Sequence, residues 1–146
     1  MREMRFSDLH AVDTIEQSVQ TDPWSESQFR DSMTAGHICL VEENAKDVCG
    51  YAILMPAVDT ADILTIAVAP GYQRQGMGGQ LLTSMLEWAR THNMRRIFLE
   101  VRESNLPAIA LYHANDFRKI GVRRGYYRTS LGREDALIMC RELVFH

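Results

Sequence analysis

Apolar residues in this chain change their spacing several times, and each change marks a predicted element. The run Ile63, Leu64, Thr65, Ile66, Ala67 and Val68 is short, β-rich and nearly continuous in apolar character, as in a strand covered on both faces. Pro70 and Gly71 end it. Beyond them Leu81, Leu82, Met85, Leu86 and Ala89 recur on one helical face, which predicts a helix from near Gly76 to about Asn93. Toward the N-terminus, Met1 to Phe6 reads as a short strand, and Ser7 as the N-cap of a helix carrying Leu9, Val12, Ile15 and Val19 on one side. Ser25 and Gln28 fit a capping box that opens a second helix, with Phe29 and Met33 toward the core and Asp22-Pro23-Trp24 as the connecting loop.

His37 to Glu43 and Val48 to Ala57 form a predicted antiparallel pair turned at Asn44 to Asp47. Arg95 to Arg102 is a further strand. Asn105 to Asn115 is a helix through Ala108, Ile109, Leu111 and Tyr112, with Pro107 in its first turn. Two final strands run from Phe117 to Tyr127 and from Glu134 to Leu143. The order is β, two helices, three strands, helix, strand, helix, two strands, with no repeat, low-complexity tract or linker. It predicts a single mixed α/β (α+β) domain over residues 1–146.

Gln73, Arg74, Gln75, Gly76, Met77 and Gly78 lie between the apolar strand and the third helix. First-turn amides of a helix lack internal partners and sit at the positive end of its dipole, so this position suits a pyrophosphate. Gly76, Gly78 and Gly79 each cost a helix roughly 1 kcal/mol against alanine. That cost fits a loop that brings backbone against phosphate, and Arg74 adds a charged contact. A tight turn that simply needs glycine is the competing reading. No Gly-Lys-Ser/Thr follows, and the Gly-x-Gly-x-x-Gly spacing is missing, so neither common nucleotide motif is present.

With 146 residues, 46% apolar and 24% charged, the chain is long enough for one substantial core. No apolar stretch approaches the roughly 20 residues that span a bilayer, and the charged start has no apolar segment behind it. A soluble, cytoplasmic protein without a membrane partner is expected. Cys39, Cys49 and Cys140 sit in strand-like runs and read as buried free thiols. His10, His37, His92, His113 and His146 show no paired ligand spacing, so no metal is expected. The net charge of −3 argues against a general nucleic-acid binder and suits a cationic substrate. Arg118, Lys119, Arg123, Arg124 and Arg128 form either a solvated hairpin face or a basic stripe toward RNA or a phosphorylated cofactor.

Gln73-x-x-Gly76-x-Gly78 after a buried strand, Glu100 in the next strand, then Asn105-x-x-Ala108 and Leu111-Tyr112 in the next helix together resemble the GNAT acetyltransferases. Asp22-Pro23-Trp24-Ser25, Leu99-Glu100-Val101-Arg102, Ala108 to Tyr112, Tyr126-Tyr127 and Gly132 to Ala136 are similar to the RimI-type branch, which acetylates the N-terminal alanine of a small-subunit ribosomal protein. The resemblance covers nearly the whole chain. It implies a mixed, mostly antiparallel sheet splayed at its middle strands, with flanking helices. It further implies that acetyl-CoA enters the gap as co-substrate, its pantetheine arm against the backbone of Ile66, Ala67 and Val68. The pyrophosphate would rest on the amides of Arg74, Gln75, Gly76, Met77, Gly78 and Gly79, and Asn105 would contact the cofactor. The partner implied is a ribosomal protein N-terminal peptide. Asp116 stands where such proteins usually carry glycine, and Arg128 where proline is common.

An amine attacks a thioester only when neutral, and an α-amino group titrates near 7.7–8.0 against about 10.4 for lysine, so an N-terminus needs less deprotonation. Glu100, flanked by Phe98, Leu99 and Val101, is the candidate general base, with desolvation by those neighbours expected to favour its protonated form. A solvent-facing strand glutamate is the alternative. Tyr112 is the candidate general acid, because a phenol stays protonated at neutral pH; a core tyrosine is the alternative. A backbone N–H of the splayed strand, such as that of Val68, is the expected oxyanion donor. Trp24, Tyr126 and Tyr127 are candidates for the peptide rim, although adjacent strand residues face opposite sides. Glu134 and Asp135 are candidate holders of a cationic peptide. Two other functions share these features: an acetyltransferase for lysine or a small amine, and a catalytically silent acyl-CoA-binding module.

Overall fold

In the computed structural model, which describes residues 1–143, a seven-stranded sheet in the order β1-β2-β3-β4-β5-β7-β6 runs through the molecule. Its strands are β1 (Arg2–Glu3), β2 (Ile38–Asn44), β3 (Asp47–Pro56), β4 (Thr60–Val68), β5 (Arg96–Arg102), β6 (Arg118–Thr129) and β7 (Gly132–Glu142). The helices are α1 (Leu9–Val19), α2 (Glu26–Thr34), α3 (Met77–Thr91) and α4 (Leu106–Ala114). All strand pairs are antiparallel except β4 with β5. The expected mixed sheet is therefore present. His146 lies outside the described residues, as does the end of the expected domain. No helix among the described residues is long and apolar enough to cross a membrane.

Helices cover both faces of the sheet. Leu81, Leu82, Met85 and Leu86 of α3 pack with Leu54, Ile97 and Leu99 on one face. Leu9, Val12 and Ile15 of α1 pack with Phe29, Val41, Tyr51 and Ile53 on the other. The start of α1 differs from expectation. A 3₁₀ turn at Phe6–Asp8 precedes it, and Asp8, not Ser7, is the residue at the cap. The Asp8 carboxylate accepts the Arg5 N–H (2.7 Å) and the Arg2 guanidinium (2.8 Å), and that cation holds its carboxyl below the ordinary value. The capping box at α2 is present as expected, with Ser25 N–H donating to Gln28 Oε1 (2.8 Å) and Gln28 N–H to Ser25 Oγ (3.3 Å). Ala45 and Lys46 make the β2–β3 turn, both at positive φ (51° and 77°), as a two-residue turn matched to strand twist requires. Cys39 and Cys49 are buried, whereas Cys140 is only half-buried; all three are free.

The middle of the sheet opens at one residue. Ile63 pairs with Leu54 and Thr65 with Ile53, so Leu64 is an extra residue on β4. Ala61 and Ile63 face the α3 core before it, and Ile66 and Val68 face the same core after it, so side-chain alternation slips by one. At this same point the pairing of β4 with β5 stops, its last pair being Ile63 with Leu99. The backbone of Leu64 to Val68 is left facing a gap on the β5 side.

The end of α4 is fixed by a Schellman motif. Phe117 N–H donates to Tyr112 O (3.0 Å) and Asp116 N–H to His113 O (3.1 Å), and the Phe117 ring meets Tyr112 with centroids 5.8 Å apart. Asp116 adopts φ +66°, the left-handed position that glycine fills without strain. Asp116→Gly is expected to stabilise the fold by about 1 kcal/mol, raising Tm by roughly 3 °C. A calorimetric scan checks this; an unchanged or lower Tm would mean that the aspartate supplies something local that offsets its conformation.

Candidate active site

Beside β4 lie two neighbouring clefts of about 590 and 180 Å³, both bordered by Trp24, Leu64, Glu100 and Tyr127. Glu100 projects from β5, Asn105 caps α4, and Tyr112 stands near the end of that helix; all three line the smaller cleft with Ile66. The Asn105 Oδ1 accepts Ala108 N–H (3.3 Å), which spends one side of its amide on the helix and leaves the Nδ2 donors. The fold thus brings together the two groups singled out for proton transfer.

Their environments differ. Tyr112 is 9% exposed, and burial, aided by Tyr127, pushes its phenol up to about 12. Glu100 has its carboxylate 2.9 Å from Arg123 Nε, and its side chain is 27% exposed. The apolar flanks expected to desolvate it do not enclose it. Leu99 and Val101 point into the α3 core on the opposite face, and Phe98 is the only one of the three sharing its side. Val68, whose N–H is the expected oxyanion donor, is not among the residues lining either cleft. Leu64, Thr65 and Ile66 border the cleft holding Glu100 and Tyr112, whereas the Val68 carbonyl accepts Gln73 Nε2 (3.1 Å) at the glycine turn. The β4 backbone that borders both proton-transfer groups is thus the bulged segment.

That turn leads into α3 through Arg74 at φ +64° and Gly76 at φ +80°, the latter at the N-cap. Left-handed residues here turn successive N–H groups outward as an anion-binding nest. The first helical bond of α3 is made by Gln80 N–H to Gly76 O (3.1 Å), and among the described residues the amides of Arg74, Gln75, Gly76, Met77, Gly78 and Gly79 have no acceptor. A Cβ at Gly76 would meet nothing within 4 Å, and Cβ atoms at Gly78 and Gly79 would make only ordinary contacts with Leu111, at 3.7 Å each. Packing therefore does not demand glycine there. Six free amides and the unpaired edge of Ile66, Ala67 and Val68 are what a pyrophosphate and an amide-bearing arm require.

The rim is built differently from expectation. Arg123 pairs with Ala136 and Tyr127 with Glu134, so three residues of β6 stand against one of β7. Gly125 takes φ +60° in this bulge and its N–H donates to Asp135 Oδ1 (2.9 Å). The bulge cancels strict alternation, and Tyr126 and Tyr127 both line the larger cleft with centroids 5.0 Å apart. Glu134 accepts Arg102 (2.8 Å), which lies over the Tyr127 ring and holds the Glu134 carboxyl below its ordinary value. Glu134 and Asp135 are thus spent on the scaffold rather than held out for a peptide.

Glu16 was missed. It is 3% exposed, accepts the Tyr51 phenol (2.6 Å) and the Trp24 N–H (2.9 Å), and so ties the α1–α2 loop to β3. Its signal was visible: Val12, Ile15, Glu16 and Val19 share one helical stripe, with a carboxylate on the apolar face. Glu16→Ala leaves two buried donors without an acceptor, an expected loss of about 2–4 kcal/mol. Denaturant unfolding measures it, and Glu16→Gln, which keeps an acceptor, should recover at least half.

The sequence model of the Acetyltransferase (GNAT) family matches residues 5–117. The chain belongs to the GNAT acetyltransferase family. It is 40% identical over 137 residues to the [ribosomal protein bS18]-alanine N-acetyltransferase of Escherichia coli (strain K12), covering 93% of this chain and 92% of that one. It is 37% identical over 142 residues to the putative [ribosomal protein bS18]-alanine N-acetyltransferase of Bacillus subtilis (strain 168), covering 95% and 92%. The crystal structure of the ribosomal-protein-S18-alanine N-acetyltransferase from Escherichia coli superposes with a TM-score of 0.93 at 35% identity, over 99% of this chain and 93% of that one. This GNAT enzyme takes acetyl-CoA as co-substrate, and the unpaired amides and open β4 edge fit that ligand.

Proposed function

We propose that this GNAT enzyme acetylates the N-terminal alanine of ribosomal protein bS18 in the cytoplasm, as a single domain. The observation that carries the reading is the match to bS18-alanine N-acetyltransferases over more than nine-tenths of the chain. The convergence of Glu100 and Tyr112 on one cleft supports it chemically.

Acetyl-CoA supplies an activated acetyl thioester. The turn from Arg74 to Gly79 holds its diphosphate, while Ile66, Ala67 and Val68 offer backbone hydrogen bonds to the arm. Trp24, Tyr126 and Tyr127 seat the acceptor peptide with its α-amine toward Glu100. The Glu100 carboxylate, directly or through water, takes a proton as the amine nitrogen bonds to the carbonyl carbon. Tyr112 gives its phenolic proton to the sulfur as the carbon–sulfur bond breaks, and transfer is direct. Arg123 is exposed enough to swing off Glu100 when the amine arrives, since such solvent-accessible pairs hold by no more than about 1 kcal/mol.

The test is to incubate purified enzyme with acetyl-CoA and bS18 N-terminal peptides that are free or blocked at the α-amine, locating the product by mass spectrometry. Acetyl on the free alanine alone is expected; acetyl on lysine side chains of blocked peptides would overturn the reading. Gly78→Ala separates cofactor binding from folding. Alanine there should leave Tm equal or raise it, by up to about 1 kcal/mol of stability. It should also weaken acetyl-CoA binding by roughly tenfold, because a methyl group enters the space against phosphate. Titration calorimetry with a thermal scan checks both.

A further inference from the structure

Asp62 is the acidic residue of the larger cleft that the fold leaves without a partner. The other, Glu100, has Arg123, whereas Asp62 makes no hydrogen bond or ion pair with any described residue. It sits on β4 between Met55 of β3 and Phe98 of β5, its direct register partners on either side, and both line the cleft with it. Burial holds its carboxyl above the ordinary value of 3.8. With two carboxylates and one guanidinium, the cleft lining carries an excess negative charge.

A carboxylate set between apolar side chains gains most from a cation that brings its own apolar stem. Phe98 is the register partner of Asp62, and Glu100 lies two residues further along β5 on the same face. The two carboxylates are therefore offset by about 7 Å along the strands. A peptide with its α-amine at Glu100 advances about 3.8 Å per residue. A lysine or arginine one or two residues in spans the rest, its methylenes against Met55 and Phe98.

We propose that Asp62 selects acceptors carrying lysine or arginine at the second or third position by receiving that side chain's cation. This rests on the N-terminal acetyltransferase reading above and names its specificity residue.

The experiment compares peptides that begin with alanine and carry lysine, leucine or glutamate at position two or three, on wild type, Asp62→Asn and Asp62→Lys. Steady-state kinetics are paired with calorimetric binding of the same peptides to the CoA-loaded enzyme, which needs no turnover. Wild type should favour the lysine peptides over leucine by about tenfold in both KM and Kd, less at high salt. Asp62→Asn should bring that ratio near one through KM and Kd, with Tm equal or raised because a buried unpaired charge is removed, and Asp62→Lys should favour glutamate. A lysine preference that survives in Asp62→Asn, or is absent from wild type, overturns the proposal. If no peptide is acetylated yet lysine peptides bind in an Asp62-dependent way, the transfer reading falls and the role of Asp62 stands.

Discussion

Glu100→Gln is expected to lower kcat by roughly 10²- to 10³-fold while acetyl-CoA affinity stays within about twofold, the loss typical of a removed general base. The amide keeps the shape of the side chain and some hydrogen bonding, but it has no basic oxygen to take the amine's proton. Glu100 is half-exposed on β5, outside the α3 core, so folding gives no competing explanation for a large rate effect. The substitution also frees Arg123 from its ion pair. Arg123→Gln is therefore the control, expected to change kcat far less. Single-turnover transfer to a bS18 peptide is the measurement, and a Glu100→Gln rate within threefold of wild type would assign proton removal to another group or to solvent.

Tyr112→Phe is expected to lower kcat by about 10²-fold, again with acetyl-CoA still bound. The ring is held by the Phe117 contact and by the last turn of α4, so the loss of one hydroxyl leaves the packing in place and Tm nearly unchanged. Burial pushes the phenol up to about 12, so the donor form persists through the neutral and mildly alkaline range. Wild-type kcat should accordingly show no decline assignable to Tyr112 below about pH 10, where an ordinary tyrosine would begin to lose its proton. Phenylalanine should remove the rate at every pH by the same factor. A pH profile of kcat for both proteins decides it, and equal rates would make Tyr112 a core residue.

Much of this was legible because it is local. The spacing of Leu81, Leu82, Met85, Leu86 and Ala89 is a property of one helix, and the Ser25–Gln28 box of four residues. The glycine turn was legible for the same reason, since amides left unpaired at a helix start depend on nothing distant. What was missed is set by pairing between segments far apart in the chain. Leu64 becomes a bulge only against Ile53 and Leu54, and that slip moves the cleft lining to Leu64, Thr65 and Ile66. Tyr126 and Tyr127 share a side because β6 bulges against β7, for which Gly125 was the only local sign. The apolar neighbours of Glu100 misled because a strand sends adjacent side chains to opposite faces, and Arg123 comes from another strand. Glu134 and Asp135 looked available because their partners, Arg102 and the Gly125 amide, are invisible in a linear reading. The Ser7 cap failed where Asp8 had two nearby donors to satisfy.

The parting of β4 from β5 also bears on how the molecule holds together. Among the described residues, the ladder from Thr60 to Ile63 and the Arg95 N–H to Asp59 O bond just before it stitch the N-terminal leaf of the sheet to the C-terminal one, whose strands are otherwise bonded among themselves. In the proposed binding mode, a thioester ligand lodged in that seam would hydrogen-bond one leaf and pack on the other, acting as mortar as well as reactant. Binding to the native state alone adds stability as its concentration rises above Kd. Amide hydrogen exchange in the two leaves should thus be most nearly synchronous when the seam is filled.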